Sequence, residues 1–415
     1  MLKYQNWYAG IWIVVVGLYA LGWSSLNDAL DPALLTFFCV SIVVSIVMAA
    51  LSAPIPLIKL RWAKQRKPVI TIVVLLGFLA DWAYRGSVPV LQSYQGYDPT
   101  STAELSVGIP VFHVVLMAFA IFYTMYLSYL YLSDTQNKGY LWEFLLLIGM
   151  LVLNNSRGYV VFCFFIMLLL YSSFNNMGIR RTRVGSIVLV VLAAFGVIFF
   201  ISAAGNIRSG YPWNDCSYIE TIGYFNNFPE WLTKHFMWFY SYATSPLANL
   251  NLNCLHYSGS INIAAILFSF LPEQLSAAPI SHSVTIYYVV NHLNAVTGFA
   301  TFVSAAGVGG AYMAFAGMIL LYTFIKALLR KCRVLETFGN ALLCFLALAM
   351  IFFNSFTTSA ICYIPLFLIV ASYYLSRRLA SNEIVLLVQE PHSDTHEVLD
   401  SFSAAHGISG ETRWQ

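Results

Sequence analysis

Two arginines are the residues of this chain best suited to chemistry. Arg157 stands in the sequence NNSRG and Arg208 in GNIRSG, each at the end of a long apolar run. A guanidinium near the hydrocarbon boundary of a membrane is costly unless it is paired or functional. Two guanidiniums on one face suit a phosphate or pyrophosphate, because each planar fork donates two parallel hydrogen bonds. The alternative is that both side chains reach toward lipid headgroups at helix ends.

Aromatic side chains crowd the segment that follows Arg208. Tyrosine and tryptophan rings stack on the apolar faces of sugars, and their hydroxyl and indole N–H groups bond sugar hydroxyls. The alternative is an aromatic belt at the membrane interface, which is common in membrane proteins. On the first interpretation, we expect six residues of this segment to bind substrate: Tyr211, Trp213, Trp238, Tyr240, Asn249 and Asn294.

The same segment offers several candidates for a general base that removes the proton of a sugar hydroxyl. They are four histidines and two glutamates: His235, His256, His282, His292, Glu220 and Glu273. Taken singly, each histidine is more often non-catalytic than catalytic. The histidines also lack the compact spacing of a zinc motif, so we expect neither a metal nor another cofactor.

The composition places these residues in a membrane protein. Of the 415 residues, 59% are hydrophobic and only 9% are charged, whereas a soluble domain has about 25% charged residues. The net charge is +3, and the basic residues cluster in loops, which indicates membrane topology rather than nucleic-acid binding. The first apolar run lacks a strongly basic flank and a clear cleavage site, so we expect it to remain as the first helix.

Apolar runs of about 20 residues predict an all-α polytopic protein with roughly ten to twelve transmembrane helices. Seven helices are expected in residues 1–204, a large extracytoplasmic segment in 205–299, further spans in 300–376 and a loosely ordered cytoplasmic tail in 377–415. Basic loops place both ends of the large segment outside the cytoplasm. Its interrupted apolar pieces predict re-entrant or interfacial helices rather than two complete spans.

Local patterns add detail to this segment. Ser245 and Pro246 suit the N-cap and first position of a new helix, which would put Tyr240 at a preceding helix break. Cys216 and Cys254 are expected either to form a disulfide in an oxidising compartment or to remain free thiols.

Ionisable residues are sparse in the predicted spans. Asp81 and Glu143 are both expected close to an interface. A proton- or sodium-coupled transporter usually has an ionisable residue near mid-membrane, so this sparseness weakens a transporter interpretation.

The order of these features resembles that of the bacterial oligosaccharide repeat unit polymerases, the Wzy-type O-antigen polymerases. An SRG sequence opens one span, and Arg208 follows the next outward span. The stretch WFYSYATSPLANLN is similar to the family's tyrosine-rich, Pro-Leu-containing helix. NAVTGFATFVSAAGVGGAYM is similar to the stretch that leads into its glycine-rich late span. The resemblance covers residues 140–321.

The resemblance implies a GT-C-like glycosyltransferase of the bacterial inner membrane, with its active site facing the periplasm. Donor and acceptor would be oligosaccharides on undecaprenyl pyrophosphate, with membrane lipids and a polysaccharide chain-length regulator as further partners and no nucleic acid. Arg157 and Arg208 would bind the pyrophosphate, and Tyr240 with neighbouring aromatic residues would bind sugar. His282 or His292 would act as the base.

The sequence also departs from the family's pattern. The family commonly has an acidic residue shortly before its glycine-rich turn, where this chain has Ser304, two alanines and Gly307. A role that rests on that carboxylate is therefore not transferred. The related O-antigen ligases share a similar helical core and outer loop, so a ligase remains an alternative.

Three further alternatives remain, one of which is a membrane scaffold without catalysis, which would leave Arg157 and Arg208 unexplained. A lipid-linked oligosaccharide flippase or another transporter would show internal repeats, more mid-membrane charges and short loops on both faces. A glycosyltransferase that uses a polyprenyl monophosphate sugar would place acidic residues in the first outer loop, where this chain has Asp28 and Asp31.

Overall fold

A computed structural model describes residues 2–63, 67–94, 108–109, 111–175, 195–196, 198–207, 209–272, 284–358 and 360–389. Most of them are helical. The first eight helices are α1 (Tyr4–Ala20), α2 (Pro32–Leu51), α3 (Val69–Arg85), α4 (Pro89–Tyr94), α5 (Phe112–Ser133), α6 (Gly139–Leu153), α7 (Arg157–Phe174) and α8 (Ile198–Ile207). The others are α9 (Ser217–Ile222), α10 (Phe236–Leu255), α11 (Ile263–Phe268), α12 (Ala300–Cys332), α13 (Glu336–Ala349) and α14 (Ile364–Ala380).

Three of these helices, α2, α5 and α12, are long and apolar enough to cross a membrane. They differ in what surrounds them. The apolar window of α2 is 33% buried inside the protein, whereas that of α5 is 78% buried. Apolar side chains of α2 such as Val43 and Leu51 are exposed, as expected for a helix whose outer face contacts lipid. The mostly helical fold and these apolar helices fit the expected helical membrane protein.

The core is built around α1, α5 and α13. On α1, the Trp12 ring packs 4.6 Å from Phe38 of α2 and 5.6 Å from Phe299, measured between ring centroids. On α13, Phe338 lies between rings of α5, at 5.8 Å from Phe122 and 5.4 Å from Tyr129. Such aromatic pairs add stability beyond the area that they bury.

A small sheet departs from the all-α prediction. Strands β1 (Leu57–Trp62) and β2 (Ile384–Gln389) pair antiparallel, with Leu60 opposite Leu386. In β1, Ile58 and Leu60 are buried while Arg61 is exposed, which is the alternation of a strand with one covered face. The prediction of a loosely ordered tail was therefore wrong for residues 384–389. The apolar, β-branched run EIVLLV favours a strand once a partner is available. Residues 390–415 lie outside the described part of the chain.

The antiparallel order of the helices sorts the described residues onto two ends. One end holds the sheet, the start of α1 and the C-termini of α5, α12 and α14, and we call it the basic end. Side chains fix it: Tyr129 donates to the Ile58 carbonyl at 2.9 Å, and Lys3 donates to the Ala49 and Ser52 carbonyls, both at 2.7 Å. Its basic residues are Lys3, Lys59, Arg61, Lys67, Lys138, Lys326, Arg330, Lys331, Arg333, Arg377 and Arg378.

The opposite end, which we call the loop end, holds the α1–α2 connection, the C-termini of α3 and α6, and the start of α7. It also holds α10, residues 284–299 and the start of α12. Described basic residues are fewer here: Arg85, Arg157 and Lys234. The residues that we predicted to form the site belong to this end wherever the structure describes them.

Candidate functional site

Helix α10 is held against the α1–α2 connection at two points. Near its start, the Tyr240 hydroxyl accepts from the Trp23 backbone N–H at 3.2 Å and from the Asn27 amide at 2.7 Å. Three turns later, the Asn251 amide accepts from the Asp31 backbone N–H at 2.9 Å. Because one short connection touches both points, α10 lies along the loop end of the bundle rather than pointing away from it.

Two asparagines on another face of α10 hold the segment 284–299. The Asn249 amide donates to the carbonyls of Leu293 (2.8 Å) and Ala295 (2.7 Å) and accepts from the Val289 N–H (2.8 Å). One turn on, the Asn253 side chain donates to the Tyr287 carbonyl and accepts from the N–H of the same residue, at 2.8 and 2.9 Å. These bonds satisfy backbone groups of a segment that has no regular structure of its own.

Asn249 was predicted to bind substrate. Its side chain is fully buried, and backbone groups use both of its donor hydrogens and its oxygen. A contact between substrate and this amide would have to replace one of those bonds. In the structure, Asn249 positions the loop that carries His292 and Asn294.

The prediction of a helix break before Ser245 was wrong. Helix α10 runs without interruption from Phe236 to Leu255, with Pro246 inside it. An internal proline removes one helical hydrogen bond, which a helix tolerates when tertiary contacts hold both halves. Here Tyr240 anchors the first half and the asparagines anchor the second.

Tyr240 is not open to a sugar in this structure. Its ring is buried and stacks on Trp23, with centroids 5.1 Å apart and planes at 29°. Burial raises the pKa of its hydroxyl, against the opposing effect of the hydrogen bonds from Trp23 and Asn27. The hydroxyl is therefore neutral at pH 7 and acts as a hydrogen-bond group rather than as a base.

Four other rings form a continuous stack, which we call the aromatic stack: Tyr242, Trp238, Tyr218 and Tyr211. Successive centroids are 5.7, 6.3 and 5.5 Å apart, and interplanar angles are 27°, 28° and 37°. Trp238, which lies between Tyr242 and Tyr218, is buried, whereas Tyr211 at the end of the stack is 38% exposed. The accessible end of the stack offers a flat surface on which a sugar can stack.

Asn206, in the last turn of α8, ties the aromatic stack to Tyr211 and Trp213 in the segment after the helix. Its amide oxygen accepts from the Trp238 indole N–H at 2.6 Å, and its amide nitrogen donates to the Trp213 carbonyl at 2.9 Å. Its backbone carbonyl accepts from the Tyr211 N–H at 3.0 Å. Helix α8, the turn after it and the stack are therefore one unit, in which the Trp213 ring remains 52% exposed.

The structure places the remaining predicted residues as follows. His292 is exposed, and its ring lies edge-on to Tyr218 with centroids 6.2 Å apart. Asn294 is exposed two residues later. Arg157 is the first residue of α7. Arg208, His282 and Glu273 lie outside the described residues.

Cys216 and Cys254 are both free thiols. Cys216 lies in a small cluster in which its sulfur is 3.7 Å from Nδ1 of His235, and that nitrogen is 2.8 Å from the Ser202 hydroxyl. Burial, together with the nearby Asp31 carboxylate, raises the pKa of the Cys254 thiol to about 11. The disulfide that the sequence left open is absent from this structure.

Asp31, one of the two acidic residues of the α1–α2 connection, has a structural role. Its carboxylate caps α2 by accepting from the N–H groups of Ala33 (2.9 Å) and Leu34 (3.1 Å). Asp28 offers its backbone carbonyl to the Tyr19 hydroxyl at 2.8 Å. This pair therefore gives little support to a glycosyltransferase that uses acidic residues of the first loop.

Helix α12 breaks within its first half, at Ala306 and Gly307. Ala306 and Gly307 leave the helical conformation, and Gly307 has φ of +60° with Tyr257 packed against it. Just before the break, the Ser304 hydroxyl donates to the Asn253 side chain at 2.9 Å. The residues at this position fasten α12 to α10.

Sequence reasoning missed one ionisable pair at the loop end, a buried aspartate beside a partly buried histidine. Asp81, near the C-terminus of α3, is 1% exposed and lies 2.7 Å from Nδ1 of His113 on α5. The residues are 32 positions apart, so no local spacing signals the pair. Its only sequence signal is an aspartate inside an apolar run, which is a functional candidate by default.

Comparisons of the chain with protein-family models, with curated proteins and with solved structures returned no match. The site is therefore characterised by its geometry. That geometry combines an accessible aromatic surface, a loop presenting His292 and Asn294, and a partly buried aspartate–histidine pair at the end of the bundle where α7 begins with Arg157. Such a set of groups can stack sugars, bond their hydroxyls and move a proton.

Proposed function

We propose that the chain polymerises undecaprenyl-pyrophosphate-linked oligosaccharide repeat units into O-antigen or a related surface polysaccharide, at the loop end. A hydroxyl of the acceptor attacks the anomeric carbon of the donor, the bond from that carbon to the pyrophosphate oxygen breaks, and lipid pyrophosphate leaves with the electron pair. The observation that carries the proposal is the aromatic stack, whose accessible end, Tyr211, is fixed by a backbone bond to Asn206. In the sequence, Tyr211 follows Arg208 by three residues.

The distribution of charge supports the orientation that this reaction needs. Lysine and arginine are enriched in short loops on the cytoplasmic side of membrane proteins. The eleven basic residues of the basic end, against three at the described loop end, favour a cytoplasmic basic end and a periplasmic loop end. On this proposal the protein is a polytopic, GT-C-like enzyme of the inner membrane.

The chemistry asks little of the protein beyond charge stabilisation and positioning. Pyrophosphate is a good leaving group, and Arg157 and Arg208 would stabilise the charge that develops on it. The aromatic stack would hold sugar rings of the donor or the acceptor. Both substrates are anchored in the membrane by their lipids, so they would meet at one end of the bundle rather than in bulk solution. This proximity would supply much of the rate enhancement.

A deletion strain tests the reaction class. Without a polymerase, surface glycan stops at the lipid core plus one repeat unit, and wild-type protein supplied in trans restores the ladder of longer chains. A deletion strain that still makes a full ladder contradicts the proposal. Loss of even the single-repeat band would instead assign the chain to ligation, flipping or an earlier step.

A flippase is the second candidate, and one observation favours it. Asp81 and Glu143 are both ionisable side chains set among the packed helices α3, α5 and α6, where Glu143 bonds the hydroxyls of Thr71 and Tyr123. Ionisable groups inside a helical bundle are typical of proton-coupled transporters. Accumulation of single-repeat lipid on the cytoplasmic leaflet of the deletion strain would identify a flippase.

A further inference from the structure

Asp81 and His113 are arranged as a dyad with a fixed orientation. Asp81 Oδ1 accepts from the Ile109 backbone N–H at 2.9 Å, and Oδ2 faces His113 Nδ1 at 2.7 Å. Because a carboxylate is an acceptor, Nδ1 of His113 carries the proton, and the other ring nitrogen, Nε2, is left unprotonated in the neutral ring. The His113 side chain is 12% exposed, so it lies at the edge of the protein interior rather than within it.

Gly108 lets the chain close over the carboxylate. Its backbone has φ of +55°, and a Cβ at this position would collide with the Asp81 side chain. The close approach brings the next residue, Ile109, to where its N–H donates to Asp81. The aspartate is thus held from two sides, by a backbone N–H and by the imidazole.

Asn154 connects the dyad to Arg157. Its side-chain oxygen accepts from the indole N–H of Trp82, the neighbour of Asp81, at 3.3 Å. Its amide nitrogen lies 3.0 Å from the sulfur of Met117, one helical turn after His113 on α5. Arg157 follows Asn154 by three positions, a chain length of at most about 11 Å. The dyad and the first predicted arginine therefore share one corner of the loop end.

The other described histidines are held differently. His235 Nδ1 pairs with the Ser202 hydroxyl, His256 Nδ1 pairs with the Leu252 carbonyl, and His292 is exposed beside Tyr218. Within the described ranges, His113 is the histidine paired with a carboxylate. A buried carboxylate orients an imidazole and stabilises the imidazolium that forms when Nε2 accepts a proton, as in hydrolase triads.

We infer that His113 is the general base of glycosyl transfer and that Asp81 is its positioning residue. The inference rests on the proposed function. The acceptor hydroxyl gives its proton to His113 Nε2 as its oxygen bonds to the anomeric carbon of the donor. The carbon–oxygen bond to pyrophosphate breaks, and the lipid pyrophosphate takes the electron pair while arginine stabilises its charge. The imidazolium then returns its proton to water or to the departing pyrophosphate.

Purified protein in lipid nanodiscs tests the assignment, with the undecaprenyl-linked single repeat that accumulates in the deletion strain as substrate. His113→Gln and Asp81→Asn are expected to lower kcat by about 10²–10⁴-fold, the usual contribution of a general base. Binding of the lipid-linked repeat, measured separately, should stay within about twofold of wild type, because the base acts on a proton rather than on affinity. A structural role would lower folded yield or binding together with the rate.

Glu143→Gln is the matched control, since it changes another carboxyl group to an amide in the same group of helices, near the basic end. It should keep kcat within about twofold. Equal losses in Asp81→Asn and Glu143→Gln, or a His113→Gln variant that extends chains at the wild-type rate, would overturn the dyad while leaving the polymerase intact. Loss of turnover in His292→Gln alone would move the base to His292. A wild-type protein that does not extend the substrate would overturn the proposed function and the dyad with it.

Discussion

The two ends of the bundle use polar side chains differently. At the basic end, Tyr129, Thr337 and Lys3 all bond backbone carbonyls or N–H groups of β1 or of the end of α2. These bonds hold β1 and the end of α2 against the bundle. At the loop end, side-chain bonds hold segments in place and leave other groups accessible: Asn249 and Asn253 hold the loop that presents His292 and Asn294.

The difference shows where activity can reside. Polar groups whose bonds are all spent on backbone contribute to stability, whereas a site needs rigid support beneath groups that keep a free bonding direction. The described loop end has both: the asparagines of α10 support a loop on which His292 and Asn294 are exposed, and the aromatic stack ends at the accessible Tyr211. Substitutions at the two ends should therefore separate stability from turnover.

The largest effect on stability is expected at the loop end, from Trp238→Ala. This change removes a buried ring of the aromatic stack and its bond to Asn206, and large-to-small substitutions of this kind cost about 3–5 kcal/mol. We expect a large fall in the melting temperature of the detergent-purified protein, measured by size-exclusion chromatography after heating. Chain extension should also be lost. Trp238→Phe, which keeps a ring and loses the indole N–H, should lose about 1–3 kcal/mol. Equal melting temperatures for Trp238→Ala and wild type would show that the stack does not support the loop end.

Asn249→Ala should have the next largest effect. It removes the partner of the buried Leu293 carbonyl and of the partly buried Ala295 carbonyl and Val289 N–H. A buried unsatisfied group costs about 1–3 kcal/mol. Limited proteolysis should cut within residues 284–299 faster than in wild type. The comparison variant is Asn251→Ala, which removes bonds to the α1–α2 connection and should leave that cleavage rate unchanged. Faster cleavage in both variants would mean that α10 unfolds as a whole.

A smaller and more selective effect is expected at the basic end, from Thr337→Val. The Thr337 hydroxyl accepts from the Ile58 N–H at 2.6 Å and donates to the Pro56 carbonyl at 3.0 Å. Its loss should lower stability by about 1–3 kcal/mol while the turnover of folded protein remains at the wild-type level. A fall in turnover without a fall in melting temperature would contradict the separation of the two ends.

The smallest effect is expected at Cys254. It is measured by thiol labelling of a variant that keeps Cys254 as its single cysteine. A pKa of about 11 lies above the usual value of about 8.5, so the thiolate fraction at pH 8 is lower by a factor on the order of 100. Maleimide labelling should be slow at pH 7–8 and rise about tenfold per pH unit. Asp31→Asn retains a good helix cap and should speed labelling by removing a nearby negative charge. Fast labelling at pH 7 would show that the end of α10 is not packed as described.

Apolar run lengths predicted the helical, membrane-spanning character of the chain, because a run of about 20 apolar residues has few other stable environments. The prediction of a helix start at Ser245 and Pro246 was wrong, because this local pattern lies inside a continuous helix that tertiary hydrogen bonds hold together. Local patterns also misled at 384–389, because a strand forms only with a partner, and β1 is more than 300 residues away. Sequence reasoning located the aromatic segment, but it could not show that Tyr240 is buried while Tyr211 is accessible.

The Asp81–His113 pair shows the same limit most clearly. Asp81 stands out as an aspartate inside an apolar run, but nothing in the sequence pairs it with His113, because their approach depends on the packing of α3 against α5 and on the turn at Gly108. Long-range pairs of this kind leave no periodic pattern to detect.

The arginines provide the most direct test of a catalytic loop end. In the deletion strain, with expression checked, Arg157→Ala and Arg208→Ala should leave the core-plus-one-repeat band and fail to restore the ladder. Arg157→Lys and Arg208→Lys keep the charge but lose the two-pronged hydrogen bonds, and should restore it only partly. If both alanine variants restore a full ladder at wild-type expression, the arginines do not bind the pyrophosphate and the proposed site is wrong.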